Sequence, residues 1–370
     1  MLEPGKITSG QAGFLMILTV LSTTNLTMPA ITAKYAGMDA WLTTILATFP
    51  HIALVLVINQ ISKTFPQESF VSYINKITGK YLGIFLVLGY LWYQIFTSAM
   101  ITRTVTEFLL TSFMPDTPME VFIAVMILLT ALVVRAGLEV LARTATFIVP
   151  IFLFSLVSIF LLTIYEIDLT QLTPILEHGF KPVIHGTIFP ALWRGEFILM
   201  LFIWQYMNKP NQGLRSMLQA AIIILLIMLP LTVASVTIFG PLTARMHFPT
   251  FSLVEYISLG GFLTRLDAIF MAVWFAGVFV KIGVFYYVIC LVLSEVLGLK
   301  EYKSLVFPIG IILGVLVTTV APNIAIYAHL FPSVVVPLNF FFEYLIPFGL
   351  LSLIYLRGLH RKKNNTKNFR

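Results

Sequence analysis

Thr19-Val20-Leu21-Ser22-Thr23-Thr24-Asn25-Leu26-Thr27-Met28-Pro29 and Phe189-Pro190-Ala191-Leu192-Trp193-Arg194-Gly195-Glu196-Phe197 are the two stretches on which the reading turns. Both lie inside apolar runs long enough to cross a bilayer, where about 20 mostly apolar residues suffice. Both carry groups that lipid does not tolerate. The first has five hydroxyl residues and Asn25 among its eleven positions, and the second sets a glycine between two opposite charges. A pair of interrupted helices at matching places in two halves of a chain is the sequence mark of a midplane binding site in secondary transporters.

The surroundings support that setting. Of 370 residues, 59% are hydrophobic and 11% charged. Soluble domains carry about 25% charged residues, so a soluble enzyme is excluded, as is disorder. A β-barrel would alternate apolar and polar residues over strands of about ten, whereas these runs are unbroken. A single cysteine, Cys290, excludes a disulfide framework and a multi-cysteine metal site.

Apolar length predicts ten spans, at about 9–33, 40–61, 81–113, 118–135, 138–165, 184–207, 214–240, 265–294, 304–321 and 334–356. The first resembles a signal peptide in its Lys6 and short apolar run, but no small-residue cleavage site follows, and it is expected to be retained. Residues 1–370 then form one transmembrane domain. Ten spans divide into inverted halves, about 9–165 and 184–357, with a basic tail over 358–370. Pro29 and Pro190, Pro50 and Pro230, and Pro150 and Pro347 fall in corresponding spans. Of the 23 lysines and arginines, sixteen flank one side, among them Lys63, Lys76, Lys80 and the tail from Arg357. Only Lys34, Lys181, Arg245 and Arg265 flank the other. The positive-inside rule puts both termini in the cytoplasm.

With these features the chain resembles the B subunit of spore-germination nutrient receptors, within the amino acid–polyamine–organocation transporter superfamily. The residues that carry the likeness are Pro190 with Gly195-Glu196, Asn208-Lys209-Pro210 after that span, and Pro347 through Arg361. The chain departs from the superfamily at Ser22-Thr23-Thr24-Asn25, where glycines are common, and at Arg194. The resemblance implies an all-α, LeuT-like five-plus-five fold with broken helices 1 and 6. It also implies a nutrient sensor that acts with an A subunit and a lipoprotein C subunit in the spore inner membrane. A cell-membrane location, and a proton-coupled, sodium-independent amino-acid permease, are the alternatives.

The expected ligand site comprises Thr23, Thr24, Asn25, Trp193, Arg194, Gly195 and Glu196. An amino acid's carboxylate would meet amides freed where the helices unwind, and its ammonium would meet carbonyls or Glu196. Four further charges in the spans are candidates for coupling or gating, because intramembrane charges are costly and usually functional. Arg103 and Glu107 stack at i, i+4 on span 3, as an outer gate or a snorkelling pair. Lys281, in span 8, is expected to be a fixed cation near the core, with the hydroxyls near Ser22 and Thr23 as partners. The resemblance implies a role like that of sodium, since span 8 helps bind sodium in LeuT-like relatives, although relatives with such a lysine usually carry it on another helix. The alternative role of Lys281 is snorkelling to the surface. Glu343, flanked by aromatics, is neutral, paired or facing water. Tyr90, Tyr93, Gln94 and Thr97 form a stripe read as packing, and His51 beside Pro50 is read as satisfying a helix break.

No cofactor, metal or nucleic acid is expected. The chain has no His-Glu-x-x-His zinc element, no Gly-x-Ser-x-Gly nucleophile and no selectivity-filter motif. The expected partners are a small nutrient such as an amino acid, the A and C subunits, and the lipid bilayer.

Overall fold

The computed structural model describes residues 3, 5–257, 266–321, 326 and 330–359. Arg265 and the tail from 360 lie outside the described residues. Among the described residues, nine helical runs are long and apolar enough to cross a membrane. The first, Ser9–Thr64, has 56 residues. A straight helix of that length would measure ~84 Å, against a hydrocarbon core of about 30 Å. It is interrupted. Helix α1 (Ser9–Ala36) starts from a capping box in which Thr8 and Gln11 each accept the other's amide, and it stops at Gly37, φ +56°. A glycine tolerates that backbone without strain. A 3-10 turn then leads into α2 (Ala40–Leu46) and α3 (Thr48–Thr64).

The chain continues through α4 (Phe70–Thr78), α5 (Lys80–Ser112), α6 (Met119–Ala136), α7 (Leu138–Thr163) and α8 (Phe180–Gly195). There follow α9 (Met200–Ile203), α10 (Gly213–Phe239), α11 (Pro249–Tyr256), α12 (Leu266–Val296) and α13 (Val306–Val320). The last run, α14 (Phe331–Leu356), carries π-helical turns over Phe331–Val335 and Phe340–Leu345. Span bounds agree with the apolar runs to within a few residues. Helix α4 is an addition: Phe70, Tyr73, Ile74 and Ile77 recur at helical spacing and are buried, and the Tyr73 hydroxyl donates to the Leu201 carbonyl (3.0 Å).

Burial sorts the helices. α1 packs on α7, α8, α10 and α12, and α12 packs on α5, α6 and α7. α6, α7 and α13 turn large apolar side chains outward, among them Leu128, Phe147, Phe154 and Ile311. In a bilayer those faces meet acyl chains. The N-terminal segment closes one end of the bundle. Ile7 exchanges backbone hydrogen bonds with Tyr206 and Asn208 (2.9 and 2.8 Å). The Glu3 carboxylate accepts from the Leu138 amide at the start of α7 (3.2 Å) and from the hydroxyls of Tyr287 and Tyr302 (3.3 Å each).

The interruptions expected in the two decisive spans take other forms. α1 is helical without a break over Ser22–Asn25. The hydroxyls of Thr19, Ser22 and Thr24 donate to the carbonyls four residues back, so they join the helix rather than compete with it. The free group comes from Pro29, which has no N–H for the Asn25 carbonyl. That carbonyl accepts instead from the Thr250 hydroxyl of α11, so the outer helix is tied to α1 through the proline's missing bond. In span 6 the backbone stays right-handed through Gly195, φ −62°, and tightens from α to 3-10 over Glu196–Leu199. No helix amino end is therefore exposed there to meet a carboxylate, which corrects that part of the expectation.

Candidate functional site

Where α8 tightens, Glu196 turns into the bundle centre, 4% exposed. Fully buried Lys281, from the middle of α12, meets it. Its ammonium donates to Glu196 Oε1 (2.7 Å), Glu196 Oε2 (2.8 Å) and Thr23 Oγ1 of α1 (2.7 Å). An ammonium has three N–H donors, so all three are used. The knot ties α1, span 6 and α12 together. The hydroxyl partner near Ser22 and Thr23 is as read from the sequence. The carboxylate is a correction, since Glu196 lies 85 residues away along the chain. Lys281 does not snorkel.

Thr23 also accepts from the indole N–H of Trp193 (3.2 Å), and its own proton has no acceptor among the described residues. Thr23, Trp193 and Glu196 line one side of a cavity of about 350 Å³ between α1, α5, α8 and the start of α14. Thr97 of α5 and Asn339 of α14 complete its polar floor, while Ile31, Met100, Ile101, Leu192 and Val335 make the wall apolar. Lys34, Met246 and His247 lie at the end where α1 finishes. Phe331 rests over Trp193 with ring centroids 5.1 Å apart. A cavity of this size with few convergent polar groups suits a small ligand.

The remaining expected site residues do not line it. Thr24 bonds back to Val20 (2.6 Å). Asn25 is wholly buried, with both side-chain polar atoms lacking a described partner. Arg194 points to the far side of α8, where Nη1 donates to the Thr44 carbonyl (2.9 Å) and the Thr48 hydroxyl (2.8 Å). Consecutive residues on a helix sit about 100° apart, so Arg194 and Glu196 cannot both face the cavity. Gly195 serves packing. A Cβ there would fall 2.8 Å from Glu343 Cδ and 2.9 Å from Glu343 Cβ.

Glu343 is 1% exposed, and its Oε1 accepts from the Tyr93 hydroxyl (2.8 Å), which also lies 3.3 Å from Asn339 Oδ1. The stripe read as packing on α5 therefore supplies Tyr93 behind the cavity and Thr97 within it. Asn339 precedes Glu343 by one turn, a spacing that could have marked it. Tyr90 donates to the Phe342 carbonyl (2.7 Å). His51 is buried edge-on to Phe197, centroids 4.3 Å apart, and neither ring nitrogen has a described partner. Arg103 is neither at the surface nor in the cavity: it is 3% exposed, donates through Nε to the Ala321 carbonyl (2.8 Å) and pairs with Glu107.

Residues 6–325 match the profile of a family described as "Spore germination protein". Spore germination protein KB of Bacillus subtilis (strain 168) is 27% identical over 374 residues, covering 99% of this chain and 98% of that protein. Spore germination protein XB of Bacillus anthracis is 25% identical over 272 residues, covering 73% of this chain and 75% of that protein. Among solved structures, a sodium-coupled sialic acid symporter in a substrate-bound outward-open state aligns with TM-score 0.67 at 14% identity, over 92% of this chain and 79% of that one. MhsT in complex with L-phenylalanine aligns with the same score and identity, over 92% and 88%. At these identities the likeness establishes the fold, that of a multi-pass LeuT-like transporter.

Proposed function

This chain belongs to the spore germination protein family, and on that premise we propose that it is the membrane-embedded, nutrient-binding subunit of a germinant receptor, acting with A and C subunits. The nutrient occupies the cavity bounded by Thr23, Trp193, Glu196, Thr97 and Asn339. The observation that carries this reading is the Glu196–Lys281–Thr23 knot at the cavity floor. It presents a carboxylate edge and a free hydroxyl proton to the space, beside an apolar wall. A zwitterion with an apolar side chain, such as a small amino acid, matches that lining. The transporter fold of the solved relatives, two of them bound to small molecules, supports the same assignment. A ligand that shifts the knot shifts three helices together.

Thr23→Val removes the hydroxyl and keeps the volume. The concentration of nutrient giving half-maximal binding, found by thermal-shift titration against a panel of amino acids, should rise about tenfold, the effect of one hydrogen bond. Thr24→Val should leave it unchanged, because that hydroxyl faces its own helix. Equal effects of the two, or none, would exclude the cavity. Accumulation of labelled amino acid in vesicles would make the protein a permease as well as a sensor.

The proposed topology has ten crossings in inverted halves, with the run Ser9–Thr64 passing twice and both termini cytoplasmic. Cys290 is buried, so introduced cysteines can be labelled against little background. A cysteine at Ser304 should react only from the cytoplasmic side and one at Asp168 only from the opposite side. The reverse pattern would overturn the orientation.

A further inference from the structure

Trp41, Thr44, Thr48 and His51 recur at three- and four-residue spacing along α2 and α3, and so share one stripe. α8 packs against both helices. From α8, Arg194 reaches into this stripe with 1% of its surface exposed, beside Thr44 (1%) and His51 (0%). Its Nη1 is satisfied by Thr44 and Thr48. Among the described residues no carboxylate pairs with it: Glu196 is taken by Lys281, and Glu343 lies against Gly195 with Tyr93. Arg194 Nε, the Thr44 hydroxyl and both nitrogens of His51 have no hydrogen-bond partner among the described residues. Thr44 is an exception on its own helices. Thr43 and Thr48 donate to carbonyls one turn back, and Thr44 does not.

These groups have a common chemistry. Arg Nε is a donor only, a threonine hydroxyl donates one proton, and a neutral imidazole donates from one nitrogen. A buried positive charge with spare donors and no carboxylate is electrostatically incomplete. The geometry points to a buried halide site at Arg194 Nε, between α2, α3 and α8, with the Thr44 hydroxyl as second donor and His51 at its edge. Water would satisfy the donors but leave the charge. A chloride ion satisfies both. Arg194 immediately precedes Gly195 and Glu196, so the ion braces the point at which α8 tightens toward the cavity. Halide binding at this place is independent of which nutrient occupies the cavity.

The test uses the full-length protein in detergent, titrated with sodium chloride or sodium bromide against sodium gluconate at constant ionic strength. The melting temperature should rise and saturate with either halide and stay level with gluconate. Arg194→Gln should abolish the halide effect. Should that variant fail to fold, Thr44→Val, which keeps the carbonyl that Arg194 uses, should raise the half-effective halide concentration about tenfold. Thr130→Val, whose hydroxyl bonds back to Met126 on α6, should not move it. Bromide-soaked crystals should show an anomalous peak within hydrogen-bond reach of Arg194 Nε. Equal melting in chloride and gluconate, a halide effect unaltered in Thr44→Val, or a bromide peak only elsewhere would overturn the site.

Discussion

Lys281→Met is expected to abolish the nutrient response and to lower stability sharply, by about 3–5 kcal/mol, the cost of leaving a buried charge without its partner. The partner is Glu196, 4% exposed, which loses two hydrogen bonds from the ammonium (2.7 and 2.8 Å). Thr23 loses a third (2.7 Å). Removing both charges tests the cause. Lys281→Met with Glu196→Gln should recover most of the stability, because a neutral pair carries no uncompensated charge, while the response stays lost. Lys300→Met, on an exposed loop, should change neither. We propose that this ammonium supplies a fixed positive charge at the bundle centre in place of a coupled sodium ion. The wild-type response should therefore be equal in potassium-only and sodium-containing buffer. Germination assays with immunoblotting for subunit level, and thermal melts of purified protein, measure the two effects separately. A sodium requirement, or a silent Lys281→Met, would remove the lysine from the mechanism.

Gly195→Leu is expected to abolish the response while the subunit still accumulates, and Gly195→Ala to impair it. Even the alanine Cβ would lie 2.8 Å from Glu343 Cδ, closer than carbon atoms approach. Glu343 must then move off Tyr93, and α14 off span 6. Overpacking of this kind costs about 1–3 kcal/mol, which lowers the melting temperature without preventing assembly. Removing the opposing side chain should compensate: Gly195→Ala with Glu343→Gly, which takes away both the Cδ and the Cβ contact, should melt above Gly195→Ala alone. A normal response in both single variants, at normal subunit level, would show that the contact between span 6 and α14 has no part in signalling.

The sequence by itself carried the all-helical membrane class, the span positions and the two stretches that hold the centre of the bundle. Those features depend on local quantities. Apolar length sets where a helix crosses a bilayer, and a charge in such a run is expensive wherever it ends up. The residues Thr23, Trp193 and Glu196 were legible for the same reason. What the sequence could not settle was which way each polar group faces and whom it meets. Hydroxyl-rich Ser22–Asn25 reads as a helix break, yet such hydroxyls can bond within the helix, and only the packed bundle shows that those of Ser22 and Thr24 do while that of Thr23 turns to Lys281 and Trp193. Arg194 and Glu196 read as one cluster, but helical rotation sends the arginine to α2 and α3 and the glutamate to the cavity. The pairing of Lys281 with Glu196, and of Glu343 with Tyr93, joins residues 85 and 250 apart. No periodicity encodes such distances. They follow from which faces of four helices are pressed together once the apolar surface is buried, and that was decided by the tertiary structure alone.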